Sequence, residues 1–321
     1  MLRFFQSIFR SDTIAGKHPE SLVKAAIERA VDGTDPWIRA VSGYKKKLRP
    51  AVIRAMDHVV MLAEGMAPAI VVKPGSYDTD PKLRTFFISK ADMRKILNSD
   101  RNLADFRHQN TGTVPLIRAM LAMEKHESVF IGAALSGDIV LHDVPQVAVS
   151  FEAHRLFDLA ASEKETRRLL QKRAYDNLLS LALRRITIMK TEREKLERYR
   201  MLLQSKLNLL QRGGWGFDEA LGDERMDVAR VEKQLARIES DLLEIGGDDH
   251  MLEAYLGVVL DVLGHPEEHL WFSKETLTID RMGIKRRQTA GDTREVTLDI
   301  INNSEGRSLV VSLITISGDA I

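Results

Sequence analysis

Residues 163–212 read EKETRRLLQKRAYDNLLSLALRRITIMKTEREKLERYRMLLQSKLNLLQR, fifty positions without a proline or a glycine. Proline removes a backbone N–H and glycine adds backbone freedom, so a stretch lacking both predicts one uninterrupted helix, about 75 Å long at 1.5 Å per residue. Its apolar residues are not scattered. Tyr175, Leu179, Ala182, Ile186, Met189, Arg193, Leu196, Arg200, Leu203, Leu207 and Leu210 follow one another at alternating steps of four and three, the spacing of a coiled-coil seam, interrupted by Arg193 and Arg200. Gly213-Gly214 stops this helix, and a second repeats the pattern at Val228, Val231, Leu235, Ile238, Leu242 and Ile245 before Gly246-Gly247.

Two such seams joined by a short connection predict an antiparallel hairpin, and charge supports it independently. Residues 163–212 hold 14 Lys or Arg against 6 Asp or Glu, a net of +8, whereas residues 218–249 hold 4 against 11, a net of −7. The arms attract, which weakens a reading of the basic helix as a nucleic-acid binder. The shorter second arm covers the distal part of the first, leaving Leu169 to Ile188 for the globular body.

On the N-terminal side, residues 1–125 read as a mainly helical region. Pro19 opens a helix from Glu20 to Val31, Asp32-Gly33-Thr34-Asp35-Pro36 ends it, Arg49-Pro50 precedes a run to Leu62, and further helices are expected at Lys90 to Leu97 and Leu116 to Lys125. Periodicity is weak across residues 63–115. Residues 126–162 read as a β-meander of three short strands, VFIGAAL, IVLHDV and QVAVSF, parted by Ser136-Gly137-Asp138 and Pro145. Residues 163–249 are the hairpin. In residues 250–321 a helix from His250 to Leu263 precedes two β-hairpins, one turning at Arg281-Met282-Gly283 and one at residues 302–306, and the last strand, SLVVSLITIS, is apolar on both faces and therefore central. The fold class is thus α+β: a helical N-terminal region and a small antiparallel or mixed sheet body, with the hairpin inserted between early and late strands so that it projects from that body.

Composition narrows the chemistry. The 321-residue chain has no cysteine, which removes disulfides, thiolate ligands and thiol nucleophiles. Its 47 basic and 46 acidic residues leave no net field to draw it to nucleic acid or an anionic membrane, so such binding needs a local patch. No apolar run reaches the roughly 18 residues of a spanning helix, and MLRFFQSIFR lacks a continuous apolar core and a cleavage site, so a cytoplasmic protein is expected. In that opening Leu2, Phe5, Ile8 and Phe9 share a helical face that suits docking on the core or on a membrane surface or partner, and its basic, acid-free composition also suits a targeting peptide.

No phosphate-binding glycine motif and no G-x-S-x-G elbow occurs, and no cofactor is expected. The one catalytic pattern is His265-Pro-Glu-Glu-His269, which satisfies H-x-x-E-H with His265 and His269 as metal ligands and Glu268 as base. That chemistry requires a continuous helix, and Gly264, Pro266 and the strand-like LWFSKETLTI argue for a capped turn instead. Between Trp37 and Val60, the basic residues Arg39, Lys45, Lys46, Lys47, Arg49 and Arg54 stand beside Trp37 and Tyr44, either a nucleic-acid patch or a solvated helix face. Trp215 and Phe217 fall at the hairpin tip, where aromatics either plug the last seam layer or meet a partner. The function expected is therefore a noncatalytic interaction or scaffold protein that contacts a protein partner, or a second copy of itself, through the hairpin. The alternatives are a metal-dependent hydrolase and nucleic-acid binding.

Overall fold

In the computed structural model, residues 18–110, 115–136, 139–211, 223–246, 250–286 and 293–317 are described. They form two compact units: the first takes in 18–55 and 176–265, the second 56–175 and 266–317, each within the described residues.

The second unit is built on a sheet of six strands: β1 (Ile70–Val72), β2 (Leu116–Ser136), β3 (Ile139–Ala160), β4 (Leu270–Ile279), β5 (Arg294–Asn303) and β6 (Ser308–Ser317). Their order is β3-β2-β6-β5-β4, antiparallel throughout, with β1 added parallel to β6. Early and late strands thus share one sheet, and β6 is central as its two apolar faces require. Val310, Ile314 and Ile316 enter one apolar cluster and Val311 and Leu313 the other, so successive side chains feed opposite faces. The first cluster is covered by Leu83, Phe86, Met93, Leu97 and Leu103 from the short helices α4 (Pro81–Phe86), α5 (Lys90–Ser99) and α6 (Arg101–Gln109), which follow the one-turn α3 (Ser76–Thr79), and by Phe87 just after α4. The second is covered by Ala63, Met66 and Leu170. β5 leaves β6 after Asp299↔Val311, and β1 takes the same side from Ile314 on. The Asp299 carboxylate accepts the Ala67 N–H at 2.9 Å beside this exchange.

Two expectations about this sheet need correction. Leu116 to Lys125 is not a helix but the first half of β2, because Ile117, Ala119, Leu121 and Met123 bury on one face while Met120 and Ala122 bury on the other. Nor is there a three-stranded meander: β2 and β3 form one long hairpin, and Pro145 lies inside β3 opposite Ile131. Its missing N–H does no harm there. The Val147 carbonyl accepts from Lys285 and the Val149 N–H donates to Gly283, so the polar groups of odd-numbered residues here, Pro145 included, point away from β2. The hairpin is irregular on one side only. Three β-bulges each add a residue to β3, and Asp143, Ala153 and Asp158 at these bulges have φ of 59°, 52° and 57°.

The turn at Arg281-Met282-Gly283 exists, but the returning chain is too short to be a strand. Lys285 bridges Ile279 of β4, Ile284 bridges Ala148 of β3, and β4 takes β5 as its full partner. Gly283 has φ of 79°, and a Cβ there would sit 3.0 Å from the Val149 carbonyl oxygen, so both conformation and contact require glycine. Lys125, Glu127, Glu275 and Lys285 alternate in sign around this junction, with Lys125 Nζ 2.6 Å from Glu275 and Lys285 Nζ 2.6 Å from Glu127.

The first unit is helical: α1 (Glu20–Asp32), a 3-10 turn at Pro36–Ala40, the opening of α2 (Tyr44–Glu64), most of α7 (Glu163–Gln211), α8 (Asp223–Gly246) and α9 (Met251–Gly264). α2 begins six residues before Pro50 and continues through it. Leu48, Ala51, Val52 and Ala55 are all buried, so an unbroken apolar face outweighs the one hydrogen bond that proline removes. In α7, Leu178, Leu179, Ala182 and Ile186 are buried, and Arg29 of α1 forms a bidentate pair with Asp176. The four-residue α10 (Pro266–His269) leads into β4.

Candidate interaction surface and the other predicted sites

From Leu183 to Gln211, the buried or half-buried residues of α7 are Ile186, Met189, Arg193, Leu196, Arg200, Leu203, Leu207 and Leu210, the expected seam, joined only by Glu197. On α8, all six expected positions from Val228 to Ile245 are buried or half-buried. Leu203, Val231, Leu235, Ile238 and Leu242 form one cluster with Leu196, Leu207 and Leu210 packed against it, and every member belongs to α7 or α8. The seam is therefore closed within this chain. Arg193 and Arg200 interrupt it without opening it: Arg193 stays at the seam edge by pairing with Glu197 one turn on, at 2.8 Å.

A second stripe of α7 remains exposed. Ile188, Tyr199, Leu202 and Leu209 are 54%, 48%, 67% and 73% accessible, and Glu192, Lys195 and Lys206 fall between them at the same three-and-four spacing, with Lys195 paired to Glu192 at 2.8 Å. Three large apolar side chains thus lie within eleven residues of one exposed helical face. Trp215 and Phe217 lie outside the described residues, as do Leu2, Phe5, Ile8 and Phe9.

The basic patch is brought together, but α1 meets its charge. Arg39 binds Glu28 at 3.0 Å and Asp32 at 2.6 Å, Lys45 binds Glu28 at 2.9 Å, and both guanidinium nitrogens of Arg49 take both Glu20 oxygens at 2.7 Å. The Tyr44 hydroxyl also donates to Glu28. Lys45 first, then Arg39 and Tyr44, hold the Glu28 carboxyl below the usual carboxylate range, and Asp32 with Glu28 raises the Arg39 guanidinium. Trp37 is 73% exposed, and Lys46, Lys47 and Arg54 are exposed too, but a phosphate backbone would have to displace three acids to reach the rest.

The histidines of H-x-x-E-H do not share a helix. α9 ends at Gly264, and His265 leaves helical geometry at φ −129°, ψ 54°, with its ring 3.6 Å from Asp261. His269 closes α10 and is buried, 5% exposed, directly before β4. Among the described residues no three His, Asp or Glu side chains converge as metal ligands.

Sequence reasoning missed a groove of about 790 Å³ in the second unit, walled by α5, α6 and the Ala153 bulge of β3. Several of its polar groups are committed to the fold. Asp100 caps Leu103 N–H with one oxygen and binds Leu156 N–H with the other, and the Asn102 amide donates to the Leu156 carbonyl at 2.6 Å. The His154 ring stacks on Phe87 at 4.9 Å and reaches the Phe86 carbonyl at 2.7 Å, while burial pushes its pKa below the usual histidine value. A non-glycine residue at positive φ was the feature to find, and no side-chain pattern announces it.

Comparisons with protein families, with curated proteins and with solved structures give no match. Among the described residues no helix is long and apolar enough to cross a membrane.

Proposed function

We propose that α7 and α8 form a coiled-coil hairpin that serves as the recognition arm of a noncatalytic interaction protein. The observation that carries this reading is the exposed stripe of Ile188, Tyr199, Leu202 and Leu209 on a helix whose seam α8 already fills. A helix that has satisfied its own hairpin has no intramolecular reason to keep these residues apolar in water. The partner expected is a protein presenting an amphipathic helix with an acid to meet Lys206, since Lys195 is paired with Glu192.

The test is recovery of bound protein from native extract by the full chain and by a Tyr199→Glu, Leu202→Glu, Leu209→Glu variant of unchanged helicity. The proposal expects a partner held by the first and lost by the second. Identical recovery by both would remove the stripe from any role.

A further inference from the structure

Beyond Met123, β2 loses its partner on one side: β6 pairs with Leu116 to Met123, and among the described residues no strand pairs with the same edge from Glu124 to Ser136. Thirteen residues of strand edge are thus open, a template for another strand. Parity shows which groups are free. Even-numbered residues of β3 near Gln146 point their polar groups at β2, so Phe130, paired with Gln146, spends its own on β3, whereas Val129 and Ile131 aim theirs outward.

The two edges of the hairpin differ in a telling way. β3 is blunted by Pro145 and by three bulges, while β2 keeps regular register throughout and shows Val129, Phe130 and Ile131 at 74%, 39% and 71% exposure. Proline and bulges are the ordinary protection against strand addition, and β2 has neither.

We infer that the open edge of β2 pairs antiparallel with the same edge of a second copy of this chain, about a two-fold axis at Phe130. Residue 130 is the midpoint of 124–136, so this register uses the whole edge. It sets Phe130 against Phe130 as a non-hydrogen-bonded pair, which the parity of β2 demands, and sets Val129 and Ile131 of each copy in hydrogen-bonded pairs with Ile131 and Val129 of the other. Glu124, Lys125, His126 and Glu127 fall opposite residues 133–136, Ala-Ala-Leu-Ser, so no charge faces a like charge. An unrelated strand would need this complementarity built separately, and a second copy carries it already.

Because the natural chain has no cysteine, single cysteines read the register directly. Non-hydrogen-bonded antiparallel pairs have Cα atoms about 4.5 Å apart, within disulfide range. Under mild oxidation the full chain with Phe130→Cys is expected to form a covalent dimer. Val129→Cys and Ile131→Cys are expected to cross-link when mixed and not alone. In sedimentation equilibrium, Val129→Glu with Ile131→Glu is expected to weaken the dimer about tenfold or more, by placing like charges opposite each other twice, and Val129→Lys with Ile131→Glu is expected to restore it. Both positions are exposed, and circular dichroism confirms folding. A chain that stays monomeric across micromolar concentrations, or a dimer that cross-links at 129 or 131 alone, overturns the inference.

Discussion

Asp35 supplies the sharpest test of how the helical unit is held. It is 2% exposed; one carboxylate oxygen accepts the Trp37 N–H at 2.8 Å and caps the 3-10 turn, and the other binds Lys190 Nζ at 2.6 Å. Lys190 in turn lies 5.0 Å from the Tyr255 ring centroid, so one carboxylate links the loop after α1, the middle of α7 and α9. Asp35→Ala removes the cap, worth about 1 kcal/mol, and a charge-assisted hydrogen bond, worth roughly 1.5–3 kcal/mol. Lys190 is 45% exposed and regains water, so the sum falls to about 2–3 kcal/mol and not to the larger loss of a fully buried pair. Asp35→Asn keeps an acceptor for Trp37 and should lose only about 1 kcal/mol. Amide hydrogen exchange over residues 20–38 and 178–190 measures this within the unit. Equal effects of the two substitutions, or no loss with either, would show that the Asp35 charge does not hold the unit together.

Three further outcomes follow from particular contacts. Ala153→Gly should stabilise the second unit by roughly 0.5–1 kcal/mol, because glycine relieves the positive φ at some entropic cost, and a lower urea midpoint would contradict this. His154 is held neutral by burial, so its pKa is lower folded than unfolded. Stability is then complete above the unfolded value near 6.5 and falls as pH drops toward the folded value, and His154→Gln should flatten that part of a pH titration of melting temperature. Leu235→Ala, at an 8%-exposed seam position, should cost about 2–3 kcal/mol and show itself as faster amide exchange in residues 196–210 and 228–245, leaving β2 and β6 protected.

What the chain displayed openly was periodicity. The three-and-four spacing of residues 175–210 and 228–245 names the buried positions almost one by one, since a helix with one partner must bury one stripe. β6 was legible for the opposite reason, an apolar run with no alternation. The same logic misled at LIRAMLAMEK: leucine, methionine and alanine favour helices, but pairing with β3 on one side and β6 on the other overrides propensity, and two buried faces leave no polar alternation. Pro145 looked like a strand break because nothing local says which way its absent N–H points. The basic patch looked like a binding face because its acids lie on another element, although Glu20, Glu28 and Asp32 at multiples of four form a visible stripe on α1. The exposed stripe on α7 was in the sequence as well, masked by the stronger seam beside it.

A photoreactive side chain at Leu202, compared with one at Leu196, tests the proposed recognition role of α7. Leu196 faces the seam, so irradiation there should cross-link α7 to α8 within one chain. Leu202 lies on the exposed stripe, so irradiation in native extract should capture a different protein. Capture at position 202 but not at 196 is the expected result; no intermolecular product at 202 would contradict a partner-binding role for the stripe.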